Sequence, residues 1–144
     1  MPTTILLVHV AATWFMVGLI WLIQLVHYPL FAGVGPAAFA GYAERHRRRI
    51  LPVVAVPMLI ELATGSLLLV ARPEGVDAWI VWAGAGLIAV VWVVTAFVSS
   101  PLHGKLAPAF DPAFAERLVA TNWVRTIAWS VRGVLTLIMT AMAT

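Results

Sequence analysis

Apolar residues run through this chain in four long stretches, broken by short clusters of glycine, proline and charge. The stretches cover residues 3–31, 50–70, 78–98 and 118–142, and each meets the roughly 20 residues that a helix needs to cross a bilayer. The pattern predicts an all-α integral membrane protein, a four-helix transmembrane bundle forming one domain over residues 1–144. Gly33, Gly35 and Pro36 end the first stretch. Residues 36–49 then read as a short interfacial helix between spans one and two, with Tyr42, His46 and Arg49 on one stripe. Pro52 and Pro57 predict a kink in span two, and Ala83, Gly84, Ala85 and Gly86 predict close helix packing in span three. Residues 99–111 read as a polar connection.

The polar residues inside this pattern carry the information. His9, Glu61 and Arg132 lie within apolar stretches, while His27, His46, His103 and Arg125 lie near stretch ends that meet at one membrane face. A charge at mid-membrane costs about 2.5 kcal/mol or more, so each such residue needs a partner or a task. His9 and His27 fall on one face of span one, about 27 Å apart along the axis at 1.5 Å per residue. Counted inward from the other face, His9, Glu61 and Arg132 reach similar depths. Asn122, Arg125, Trp129 and Arg132 form one stripe of span four, expected to face the bundle interior. One reading is structural: Glu61 pairs with Arg132 or Arg125 and fixes helix register. The histidines have plain readings too, as a helix-end residue, as part of a lipid-binding basic stretch, or as surface.

Composition narrows the classes. The chain is 62% hydrophobic and 10% charged, against roughly 25% charge in a soluble domain. With no cysteine, disulfides, thiolate metal sites and cysteine nucleophiles are excluded. The net charge of +3 is explained by membrane flanks, not nucleic acid. Arg45, Arg47, Arg48, Arg49, Lys105 and Arg117 mark one face and Arg72 the other. The basic face is expected in the cytoplasm, which turns both termini outward across the cell inner membrane. No phosphate-binding glycine loop, H-E-x-x-H or G-x-S-x-G motif is present.

The functional reading is a cofactor. Without cysteine a metal must be held by histidine, carboxylate, methionine or backbone; neutral imidazole is the commonest ligand for metal or haem iron, and bundles build such sites from facing helices. His9, His27, His46 and His103 are the candidate metal ligands. Arg125, Arg132 and Trp129 join His9 as candidate cofactor contacts, with the guanidiniums suited to carboxylates such as haem propionates. Glu61, Arg125 and Arg132 are the candidate catalytic residues.

The first span, His9-Val-Ala-Ala-Thr-Trp14-Phe-Met-Val-Gly18-Leu19 closing in Val26-His27-Tyr28, resembles the opening helix of the HemJ-type small membrane protoporphyrinogen oxidases. It is also similar to the start of CopD-like membrane proteins. Glu44-Arg45 before span two, Pro57-Met58 and Gly65 within it, Lys105-Leu106 after span three and Asn122 in span four extend the HemJ-type likeness along most of the chain. The resemblance implies a four-helix haem-binding membrane protein, with His9 as axial ligand. The chain departs from that family in its third span, which lacks the lysine the family carries there.

The expected function is thus a haem- or metal-binding redox membrane protein acting on a tetrapyrrole-like or other lipophilic substrate, with haem b or a histidine-bound transition metal as cofactor. Its expected partners are the lipid bilayer and a membrane redox partner or larger complex, and a homo-oligomer stays open. The alternative is a non-enzymatic accessory subunit that packs against a larger membrane complex and binds lipid.

Overall fold

The computed structural model describes residues 2–143, and among them there is no strand. Helix α1 covers Pro2–Leu22, α2 Pro36–Val70, α3 Ala78–Val94, α4 Ser100–Leu106 and α5 Pro112–Met142. Three helical stretches, Pro2–Gly33, Pro36–Val70 and Ala78–Leu106, are long and apolar enough to cross a membrane. Helix α5 is as long, at 31 residues, but carries Glu116, Arg117, Arg125 and Arg132. The long helices pack around a shared interior, α1 against α2 and α5, and α3 against α2 and α5.

Two expectations about element boundaries are corrected. Residues 36–49 do not form a separate helix: they are the first part of the 35-residue α2. Nothing between Arg49 and Ile50 stops a helix, and Pro52 costs one backbone hydrogen bond without ending the run. The expected loop over residues 99–111 is largely helical, because a π-turn at Thr95–Ser99 leads straight into α4. Asp111 then caps α5, accepting from the backbone N–H groups of Ala113 and Phe114.

A second π-turn, Ile23–His27, interrupts the first long stretch, which runs on through a 3-10 turn at Pro29–Gly33. The two π-turns lie near one end of the bundle, called the inner end below. π-turns shift the phase of a helix and concentrate at functional sites. Here they bring Gln24 and Ser99 inside.

Three apolar layers fill the interior. The middle layer holds Met16, Ile20, Met58, Val91 and Trp129; the inner one Tyr28, Phe31, Phe39 and Leu118; the outer one Leu6, Leu68, Ile80 and Met139. Many large apolar residues are exposed, among them Leu22, Leu30, Trp82 and Phe97. In water such a surface would be a large adhesive patch; it is compatible with a lipid surround.

Close approach occurs at glycines other than those expected. Gly84 and Gly86 face open space. Gly65 is the tight position: a Cβ there would stand 2.5 Å from Ile88 Cδ1 and 3.3 Å from His9 Cε1. Gly133 packs similarly against Val17 and Trp14. Gly65→Val is therefore expected to overpack the interface of α1, α2 and α3 and to lose about 1–3 kcal/mol. Gly84→Ala should be neutral or slightly stabilising. Melting of the two variants in detergent tests this, and equal melting would contradict the packing at Gly65.

Candidate functional site

Two polar centres lie inside the apolar bundle, at different depths. The first joins α1, α2 and α5. Arg132 Nη2 meets Glu61 Oε1 at 3.0 Å, and both side chains are almost fully buried. Trp129 Nε1 donates to Glu61 Oε2 at 2.9 Å. Arg132 Nη2 also lies 3.3 Å from His9 Nε2 and 3.5 Å from Thr13 Oγ1. A guanidinium only donates, so His9 Nε2 accepts. The proton of the neutral ring then sits on Nδ1, which donates to Thr64 Oγ1 at 2.7 Å. The Thr64 hydroxyl in turn donates to the Ile60 carbonyl at 2.6 Å. Each step follows from helix periodicity: Trp129 and Arg132 share a face of α5, as Glu61 and Thr64 do of α2.

This arrangement decides how the implied haem fits His9. An axial ligand offers iron a free nitrogen lone pair. The Nε2 lone pair of His9 is directed at Arg132, and Nδ1 is committed to Thr64. The residues around His9 do not fit an axial ligand, and no chemistry is derived through one there.

The second centre lies at the inner end. His27 Nε2 is 3.0 Å from His46 Nδ1, and Tyr28 Oη is 3.0 Å from His103 Nε2. The His46 and His103 rings stand 6.0 Å apart between centroids. Histidines from α1's end, α2 and α4 thus converge, as the sequence positions implied. No group of three or more His, Asp or Glu side chains among the described residues is arranged to hold a metal ion. The His27 and His46 rings, 4.3 Å apart and tilted by 35°, are closer to stacked than to aimed at a common point.

Beside the histidines lies a cavity of about 370 Å³, lined by Tyr28, His46, His103, Ser99 and Arg125 on its polar side and by Ile23, Leu51 and Val54 on its apolar side. Arg125 is 4% exposed. Its Nη1 donates to Ser99 Oγ at 3.3 Å and Asn122 Oδ1 at 3.2 Å, both neutral. The guanidinium lies 5.2 Å from the Trp129 ring centroid. Its Nε has no hydrogen-bond partner, and no carboxylate pairs with it among the described residues.

Sequence reasoning brought together His9, Glu61 and Arg132 in one centre, and the inner histidines with Arg125 in the other. It missed the neutral residues that complete them. Thr13 and Thr64 sit one turn from His9 and Glu61, and Ser99 reaches Arg125 through a π-turn. Gln24 accepts from Asn122 at 2.8 Å and donates to the Val119 carbonyl at 3.2 Å. Gln24 alone had a usable signal, as an amide in an otherwise apolar run.

The Glu61–Arg132 geometry sets a prediction. Glu61→Gln leaves Arg132 buried without its counter-charge and should cost about 3 kcal/mol. Adding Arg132→Met should recover much of that loss. Thermal melts of both variants in detergent read the result, and wild-type melting of Glu61→Gln would remove the ion pair as a source of stability.

No family model matches the chain, and neither a curated protein nor a solved structure matches it.

Proposed function

We propose that this chain is a multi-pass protein of the cell inner membrane, with α5 as its fourth span, and that it binds a lipophilic acid at the inner end of the bundle. Support for the fourth span comes from burial. Arg125, Arg132 and Asn122 all point inward, so the outward surface of α5 is left to residues such as Val124, Ile127, Val134 and Leu137. The orientation rests on the basic residues near the inner end, Arg45, Arg47, Arg48, Arg49, Lys105 and Arg117, against Arg72 at the other. A cytoplasmic inner end turns both termini outward.

One observation carries the ligand. Arg125 is a buried cation without a carboxylate partner, at the wall of a cavity. Arg132 offsets the same cost with Glu61; Arg125 has only neutral partners, Ser99, Asn122 and the Trp129 ring, in the hydrogen bonds and ring contact described above. A carboxylate or phosphate in the cavity would supply the missing charge and take up the free Nε–H, in the planar geometry guanidinium favours. The apolar wall formed by Ile23, Leu51 and Val54 suits the rest of a lipophilic molecule.

A redox role, with haem b or a histidine-bound transition metal and a membrane redox partner, has one observation in its favour. His27, His46 and His103 gather beside this same cavity. A tetrapyrrole carboxylate is itself a lipophilic acid, so both readings share Arg125 and differ only at the histidines.

The test is binding of palmitate, a porphyrin dicarboxylate and their methyl esters to detergent-purified protein. At least one acid should bind saturably, its ester at least tenfold more weakly, and Arg125→Gln should remove acid binding. A Soret band in the purified protein would add the haem reading. Equal binding of acids and esters, or undiminished binding by Arg125→Gln, would overturn the proposal. A colourless protein that binds none of them would favour the accessory subunit. A reporter fused to the C-terminus should report the outer side, and a cytoplasmic signal would reverse the orientation.

A further inference from the structure

Resting on the reading that the Arg125 cavity takes an acid, we infer that its ligand is a single-chain acid drawn sideways from the cytoplasmic leaflet between α2 and the π-turn at Thr95–Ser99, with its head at Arg125 and its tail left along α2. Three observations point to this class over a small acid arriving from water.

The first is the make-up of the lining. The buried end holds Arg125 and Ser99, at 4% and 2% exposure, while the exposed part carries Leu51, 64% exposed, beside the basic Arg47. An exposed leucine next to a basic side chain suits an acid that carries an acyl chain.

The second is the backbone around the opening. Pro52 in α2 removes one N–H, and the π-turn at Thr95–Ser99 departs from regular α-helix on the facing side. Ile50, Leu51 and Val54 line the cavity on one side of this gap and Thr95, Ser99 and Ser100 on the other. Thr95 and Ser99 of the π-turn line the same cavity as Arg125, and Pro52 falls between the lining residues Leu51 and Val54.

The third is size. About 370 Å³ is near the lower end of ligand pockets, which run from roughly 300 to 1,000 Å³. It holds a head group and the first part of a chain. The rest must lie outside, where exposed Leu51, Val53 and Val56 follow α2 into the apolar region.

The experiment measures binding of radiolabelled palmitate, butyrate and hexadecanol to the full chain in phosphatidylcholine nanodiscs. The variants are Leu51→Trp, Arg125→Gln and Arg125→Lys. Leu51 is exposed, so its substitution narrows the mouth without disturbing the core. The expected result is saturable palmitate binding, with butyrate and hexadecanol each at least tenfold weaker. Leu51→Trp should weaken palmitate at least tenfold and leave butyrate unchanged. Arg125→Lys should retain more palmitate binding than Arg125→Gln. Butyrate binding as well as palmitate, with Leu51→Trp affecting neither, would overturn the sideways route and the acyl chain while leaving an acid site at Arg125. Failure of both acids to bind, or full palmitate binding by Arg125→Gln, would overturn the acid site itself. Should Arg125→Gln not fold, the comparison of palmitate with butyrate in wild type and Leu51→Trp still decides.

Discussion

The ion pair between Glu61 and Arg132 is the constraint around which the bundle is arranged. Both side chains are almost wholly buried, at 2% and 1% exposure, between helices whose other faces are apolar. Burying two charges costs several kcal/mol each, and attraction offsets that only with close geometry and further hydrogen bonds. The structure meets both conditions. The pair closes at 3.0 Å, Trp129 takes the second carboxylate oxygen, and His9 and Thr13 receive from the guanidinium. A shift of α5 by one residue would rotate Arg132 about 100° away from Glu61. Register between α1, α2 and α5 is therefore fixed by polar groups, in a setting where apolar contacts alone discriminate weakly between registers.

Trp129 links the two polar centres. Its N–H goes to Glu61, and its ring faces the Arg125 guanidinium. The heptad spacing from Arg125 to Arg132 puts both cations on one stripe of α5, and the indole at position 129 stands between them. An aromatic ring attracts a cation through its face and donates through its edge, so one side chain serves both arginines in different ways. The carboxylate is not shared: it belongs to Arg132.

Much of this was legible because membrane segments penalise polar residues so heavily that each one marks the interior. Depth counting placed Glu61 opposite Arg132, and the α5 stripe faced inward, both from helix rise and twist alone. What was not legible followed from smaller energies. The junction at Arg49–Ile50 is helical because no residue there forbids it, and an amphipathic stretch can join a span without a break. The π-turns at Ile23–His27 and Thr95–Ser99 leave no sequence signature, yet they accompany the burial of Gln24 and Ser99. Threonines in apolar helices serve packing as readily as hydrogen bonding, so Thr13 and Thr64 carried no signal of their own. The expectation of His9 as a ligand rested on its place in an apolar run and on its HemJ-like spacing from Trp14 and Gly18, and neither signal shows that Thr64 and Arg132 stand at its two ring nitrogens.

The contrast between the two arginines carries the argument to function. They sit two turns apart on one helix, equally hidden from solvent. One has an indole-bound carboxylate, an imidazole and a threonine; the other has a serine, an asparagine, the face of the Trp129 ring and a cavity. If stability alone governed the inner end, an apolar residue or a second carboxylate at the cavity wall would serve better than an unpaired guanidinium. Glu61 is the only buried carboxylate among the described residues, so two buried cations stand against one buried anion. That imbalance sits where the backbone departs from regular helix, where three histidines gather, and where a cavity lies between α2 and the π-turn at Thr95–Ser99. Arg132 also keeps an unpaired Nε, but its charge is met by Glu61; Arg125 meets no carboxylate among the described residues and borders a cavity, which makes the inner cavity, and not the network around His9, the place to look for a ligand.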